Sequence, residues 1–335
     1  MPHVPQRGVV LFLGGLGRSG STLLERMLGE LPGVAALGEV VHLWERALRD
    51  DERCGCGRAF SACPFWDAVG RRAFGGWDRL DVADVLALKA RVDRTRDVPR
   101  LALPVLRPSV RRDLTRYLDL YERVYDAARE VSGADVVIDS SKHASLAYCL
   151  RWSTRMDLRV VHVVRDSPAV AYSWTKEVER PEAAGSTAGP GSLGALMPRY
   201  GALRVVARWN VDNVMFDLLR VLGVRLSLVR YEDLVAEPEA TLTRVAEHAG
   251  LAPEAGQAVR GGRLLLHPGH TVAGNPMRFQ TGELVVRQDD TWRTRYPARQ
   301  RQLVTALTQP LRVRFGYTRT GRTRPVPPPA TKGSA

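Results

Sequence analysis

Lysine is nearly absent from this chain of 335 residues. Lys89, Lys142, Lys176 and Lys332 are the only four, and the other 45 basic residues are arginine. An arginine in a site therefore says less than usual about a need for bidentate geometry. Cysteine is also scarce, and four in this length exclude a disulfide-stapled scaffold. No apolar run approaches the ~18–20 residues that span a bilayer, so no transmembrane helix is expected. The stretch "VVLFLGGLG" after Arg7 has some look of a signal peptide. It is short, Arg18 follows it, and it reads better as a first core strand. A cytoplasmic location is expected. Acidic residues stop at Asp290; beyond it nine arginines and Lys332 hold ten of the thirteen net positive charges. The charge is thus read as a solvated basic tail on a nearly neutral body, with RNA or an anionic membrane as the alternative. The body shows no aromatic–basic interleaving of the kind that tracks a nucleic-acid backbone, so nucleic acid is not the expected partner.

What is present is ordinary globular composition, with 44% apolar and 25% charged residues. That length and content suit one large α/β domain or two small ones. "LFLGG" reads as a buried strand, followed by a helix whose Leu23, Leu24, Met27, Leu28 and Leu31 share a face until Pro32-Gly33 stops it. Helical patterns cover Asp81 to Arg96, Arg111 to Glu130, Leu203 to Leu222 and Glu239 to Gly250. Apolar strands end at Asp139 and Val164, and a fourth is "VRLSLVRYEDL". Ser167-Pro168 reads as the N-cap and first position of a helix. "AGSTAGPGSLG", Ala184 to Gly194, reads as a flexible loop over a site. Strands alternating with helices predict a parallel sheet covered on both faces. Ligands in such sheets bind beyond the carboxyl ends of the strands. The polar clusters Gly14–Thr22, Asp139–Lys142, Arg165–Ser173 and Tyr231–Asp233 all lie there.

The first cluster is the most informative. In "LFLGGLGRSGSTLLERMLGELPG" a strand, a glycine-rich turn and an amphipathic helix follow one another, the layout that holds a phosphate at a helix N-terminus. Gly17, Arg18, Ser19, Gly20, Ser21 and Thr22 are the candidate anion-binding residues. A nucleoside triphosphate site wants Lys where this chain has Ser21, and Arg18 is the strong cation inside the loop.

"GLGRSGSTLLERML" resembles the 5′-phosphosulfate-binding loop of sulfotransferases that use 3′-phosphoadenosine-5′-phosphosulfate (PAPS), in the variant of tyrosylprotein and bacterial enzymes where Arg replaces Lys. The resemblance implies a P-loop NTPase-like three-layer α/β sandwich with a central parallel sheet, and no metal requirement. It also implies that Arg18 meets the charge developing on the bridging oxygen. "VVRDSPAVAYSW" resembles the family's 3′-phosphate motif, which casts Arg165 and Ser173, eight residues apart, as its ligands. "RYEDLV" recurs in the superfamily with its Tyr, here Tyr231, near the nucleotide. "HTVAGNPMRFQTG" resembles, more loosely, a late loop that closes over the 3′-phosphate, with Arg278 as its cation. Tyrosylprotein relatives use a Glu soon after the first helix as base, and Glu39 of "ALGEVVHLW" stands in the matching region, with His42 as the alternative. Lys142 of "IDSSKH" matches a Lys that contacts the transferring sulfonate, while Asp139 is expected to order the loop.

"CGCGRAFSACPFW" brings Cys54, Cys56 and Cys63 close together. With His42 they would form a Cys₃His set, but Cys-x-Cys is an unusual spacing for zinc, and no metal is expected. Trp44, Trp66 and Trp174 suit either an aromatic or sugar ring or the core. The expectation is a single sulfotransferase domain over residues 1–316, with acceptor-binding insertions near 40–76 and 175–200 and a disordered tail over 317–335. It would move a sulfuryl group from PAPS to a small-molecule, carbohydrate or glycolipid acceptor, leaving 3′,5′-adenosine bisphosphate. The alternatives are a P-loop kinase and a non-catalytic anion-binding protein that uses the tail.

Overall fold

In the computed structural model, residues 8–181, 196–252 and 258–317 are described. The chain starts with β1 (Gly8–Gly14), α1 (Ser21–Gly29), β2 (Val34–Ala36), α2 (Pro64–Phe74), α3 (Val82–Val92), α4 (Val98–Leu101) and α5 (Pro108–Ser132). It continues through β3 (Val136–Lys142), α6 (Ala144–Leu150), β4 (Met156–Val164), α7 (Ser167–Ser173), α8 (Ala202–Val221) and β5 (Arg225–Arg230). Then come α9 (Tyr231–Ala236), α10 (Pro238–Ala249), β6 (Arg263–Leu266), β7 (Gly282–Val285), α11 (Thr291–Arg295) and α12 (Ala298–Arg314).

Five strands form one parallel sheet in the order β2-β3-β1-β4-β5. Because side chains alternate along a strand, β1 feeds two cores. Val10 and Phe12 join a cluster with Tyr121 and Val124 of α5, Leu146 of α6 and Phe216 of α8. Leu11 and Leu13 face the other way, toward Leu24, Met27 and Leu28 of α1 and Leu242 and Val245 of α10. The expected three-layer α/β sandwich is therefore present, and the apolar N-terminal run is its central strand. The chain leaves β1 toward β2 and β3 on one side and reaches β4 and β5 on the other. That arrangement opens a crevice at the carboxyl end of β1.

Several local expectations change. Ser167 and Pro168 lie inside the first turn of α7, and Asp166 is the N-cap, its carboxylate paired with buried Arg312 at 2.8 Å. The strand expected to end at Asp139 continues to Lys142, and the register against β1 shifts between Phe12 and Gly14, so that Gly14 pairs with Lys142. The basic stretch after Asp290 is largely not a tail. Six of its ten cations lie on α11 and α12, and α12 packs on the sheet-covering helices through Val304, which shares a core with Val170 and Trp209. Tyr317, placed at the start of the tail, is buried and donates its hydroxyl to Glu232 at 2.7 Å. The loop read at 184–194 and the tail beyond 317 lie outside the described residues. Among the described residues, no helix is long and apolar enough to cross a membrane.

Candidate active site

Glycine builds the crevice first. Gly20 has φ 93° and serves as N-cap of α1. A Cβ there would be strained and would also come within 2.5 Å of the Tyr231 ring. The amides of the first helical turn have no partner within the helix. Here they open on a cavity of 580 Å³, within the usual range for a small-molecule site.

That cavity gathers Gly17, Arg18, Gly20, Ser21, Thr22, Glu39, Lys142, Arg165, Ser173 and Tyr231. All were candidates on sequence grounds, although they are spread from residue 17 to residue 231. Ser19 is buried and does not line it. Arg278 requires a correction. It is buried, and its guanidinium donates to the carbonyls of Thr271 at 2.7 Å and Arg53 at 2.6 Å. It holds the late loop from inside, whereas Arg287, just past β7, lines the cavity. Sequence reasoning missed Arg287 because no motif surrounds it. His143, Arg46, Arg180, Tyr200 and Arg208 also line the cavity without a sequence signal.

Two cations on one side rest on aromatic rings. The Arg18 guanidinium lies 5.3 Å from the centroid of Trp174, whose indole N–H donates to the Gly17 carbonyl at 3.1 Å. Arg165 lies 4.2 Å above Tyr231, the ring that also contacts Gly20. Its guanidinium also donates to the Asp289 carbonyl at 3.2 Å and stands 3.7 Å from the Asp289 carboxylate. The Nε atoms of both arginines are buried without a hydrogen-bond partner among the described residues. Of the weighed tryptophans, only Trp174 reaches the cavity; Trp44 and Trp66 are fully buried in the core.

A second wall of the cavity is arranged around carboxylates. Gly33, with φ 74°, turns the chain back into β2, and Glu39 follows. Lys142 Nζ hydrogen-bonds Glu39 Oε1, and His42 Nε2 stands 3.5 Å from Glu39 Oε2. Burial pushes the Glu39 carboxyl up, but Lys142, His42 and Arg46 outweigh it and hold the group at about 2. Burial drives His42 well below the usual imidazole range against the pull of Glu39. The two candidate bases thus form one unit, a carboxylate beside a neutral imidazole. Farther along, Glu52 bridges Arg46 at 2.7 Å and Arg180 at 2.9 Å.

Deeper residues position this wall. Glu25, on α1, accepts from the Gly38 amide and the Ser140 hydroxyl, both at 2.8 Å. Burial raises its carboxyl to about 7, despite Ser140 and Lys142. Asp139, expected to order a loop, instead lies within β3, where it accepts from the Ser141 amide at 2.8 Å and the Tyr125 hydroxyl at 2.6 Å and so fixes the strand end that carries Lys142. Arg18 at φ 75° and Lys142 at φ 66° are both non-glycine residues in the left-handed region.

Such a crevice, with a helix N-terminus and several cations facing a carboxylate, is suited to transferring an anionic group. The family model described as the sulfotransferase family matches residues 72–254. The chain belongs to the sulfotransferase family. The matched span includes Lys142, Arg165, Ser173 and Tyr231 and begins after Arg18 and Glu39. Among curated proteins none matches. Among solved structures, the chain is similar to the sulfotransferase STF1 of Mycobacterium tuberculosis at 20% identity and TM-score 0.40, covering 75% of this chain and 70% of that one. It is also similar to the sulfotransferase STF9 of Mycobacterium avium at 12% identity and TM-score 0.45, covering 94% of this chain and 79% of that one. At these values neither likeness carries weight for substrate or mechanism.

Proposed function

We propose that this sulfotransferase takes its sulfuryl group from PAPS and passes it to a hydroxyl or amine of a small-molecule, carbohydrate or glycolipid acceptor. What carries the reading is that two separate anion sites share one cavity. One is Arg18 with the Gly20–Thr22 helix start, and the other is Arg165 with Ser173. A donor with a 5′-phosphosulfate and a 3′-phosphate needs two such sites, and the partnerless Nε atoms of the two arginines fit it. Tyr231 touches both sites and would lie against the nucleotide. Arg287 replaces Arg278 as the late cation.

In the proposed chemistry PAPS supplies the sulfuryl group. Glu39 takes the acceptor proton, so that the acceptor oxygen bonds to sulfur as the sulfur–bridging-oxygen bond breaks. The electron pair stays on the phosphate, and Arg18 and Lys142 hold that charge. Before the donor arrives, Lys142 is engaged by Glu39. An incoming sulfonate competes for the ammonium, which loosens its hold and lets the carboxylate become a better base. We take residues 1–316, extended to include Tyr317, as one catalytic domain, with 40–76 and 175–200 shaping the acceptor end.

Calorimetry of 3′,5′-adenosine bisphosphate against ATP, each with and without Mg²⁺, tests the donor assignment. Tight, metal-independent binding of the bisphosphate with much weaker ATP is the expected result. Preference for Mg-ATP would overturn it and favour a kinase.

A further inference from the structure

Away from the cavity, Cys54, Cys56, Cys63 and His270 present three sulfurs and one ring nitrogen that all lie within 4.8 Å of one another. Cys54 and Cys63 are buried, and Cys56 and His270 are half-buried. Cys63 Sγ is the centre of the group, 3.6 Å from Cys54 Sγ, 3.8 Å from Cys56 Sγ and 3.3 Å from His270 Nδ1. Cys54 Sγ stands 3.9 Å from the same nitrogen. A tetrahedral zinc bound by three thiolates and one imidazole places its ligand atoms roughly 3.5–3.8 Å apart. Four of the six edges, at 3.3–3.9 Å, lie close to those of that tetrahedron, and all six are within 4.8 Å.

The backbone around the cluster is built for it. Cys54 and Gly57 close a tight turn, in which the Gly57 amide donates to the Cys54 carbonyl at 2.8 Å and the Cys54 amide to the Arg58 carbonyl at 2.8 Å. Gly57 takes φ 86°, which a side chain would disfavour. Gly55 must be small, because a Cβ would meet Thr271 Oγ1 at 2.5 Å and the Gly269 carbonyl at 2.8 Å. The histidine segment is therefore packed directly onto the cysteine turn. Cys63 occupies the N-cap position of α2, an eleven-residue helix that fixes where its side chain starts. His270 is oriented by stacking on Phe65 at 4.9 Å, and its carbonyl accepts from the Trp66 indole at 2.8 Å.

We propose that Cys54, Cys56, Cys63 and His270 form a mononuclear structural Zn²⁺ site. Three thiolates and an imidazole in tetrahedral array select zinc over harder cations, and with all four positions taken by protein the ion is structural. This replaces the expectation of no metal. His42, the histidine weighed beside these cysteines on sequence grounds, instead sits at Glu39. The fourth ligand comes from 207 residues beyond Cys63. The site ties the cysteine insert to the loop that passes the active carboxylate. One residue past His270 the Thr271 carbonyl accepts from Gly55 at 2.9 Å, and the next carbonyl, of Val272, accepts from the Glu39 amide at 2.7 Å. Zinc would thus brace the wall that holds Glu39, without touching substrate.

The test is zinc content of the full chain, purified with any tag removed, by elemental analysis and native mass spectrometry. One zinc per chain is expected, lost in Cys56→Ser and His270→Ala and kept in Cys149→Ser, whose thiol lies elsewhere in the core. Replacing the ion with Co²⁺ should give the thiolate charge-transfer and intense visible bands of a tetrahedral site. Chelation should lower the melting temperature of the parent chain and leave that of His270→Ala unchanged. Native chain that takes up neither zinc nor Co²⁺ would overturn the proposal. So would stoichiometric zinc retained by His270→Ala, or a disulfide within the cysteine trio.

Discussion

The two walls of the cavity hold their cations differently. On one, Arg18 and Arg165 lie over Trp174 and Tyr231. On the other, Lys142 is hydrogen-bonded to Glu39, while Arg46 and Arg180 share Glu52. An aromatic face steadies a guanidinium through its quadrupole while leaving the net charge intact. A carboxylate neutralises its partner, so an incoming anion must first compete. On the proposed reading the ring-backed wall, where the Asp289 carboxylate stands 3.7 Å from Arg165 rather than in close contact, would be a standing receptor for phosphate. The carboxylate wall would be responsive, because an anion bound there would alter the basicity of Glu39.

Exchanging a member of each wall should separate these behaviours. Lys142→Ala has the largest expected effect, a fall in kcat of about 10²–10³ through lost charge stabilisation. The same change removes the main influence holding Glu39 at about 2, so the acid limb of kcat/KM should move up to or past the usual carboxylate range. A slower enzyme with an unmoved limb would show that the walls do not differ in this way. Arg165→Ala should be milder and of another kind, with bisphosphate affinity falling about ten- to a hundredfold and no shift of the acid limb.

Glu25→Gln should affect turnover least and report on the support beneath the carboxylate wall. The folded Glu25 carboxyl sits at about 7 against an ordinary 4.5, so the folded chain binds more protons than the unfolded one between those values. Its contribution to stability is therefore lost as pH rises through that window, by at most about 3 kcal/mol. The amide of the variant keeps an acceptor for Gly38 and does not titrate. A melting temperature that falls between pH 5 and 8 in the parent should fall less in Glu25→Gln; parallel curves would refute the assignment.

The ring-backed wall was legible in the sequence because its parts are local. The Arg18 loop is contiguous, Arg165 and Ser173 are eight residues apart, and strand ends in a parallel sheet converge by topology. Glu39 and Lys142 were found singly, but their ion pair joins residues 103 apart in the chain, which no pattern announces. Arg278 was misplaced because a cation in a loop looks the same whether it faces solvent or turns inward to hold two carbonyls. His270 was missed for the reason that most distant ligands are, since nothing in the sequence near it points to Cys63. The end of the chain misled through charge. Arg312 looks like a tail residue until Asp166 is found beside it.

Arg18 and Lys142 also share a backbone feature, since both stand in a left-handed conformation that a side chain makes costly by roughly 1–2 kcal/mol. Glycine would sit there more comfortably and would remove both positive charges. A campaign for heat-tolerant variants, scored on melting alone, would be drawn to Arg18 and away from Lys142, whose loss leaves the buried Glu39 carboxylate without its ammonium. On the proposed reading it would lower turnover while appearing to improve the protein.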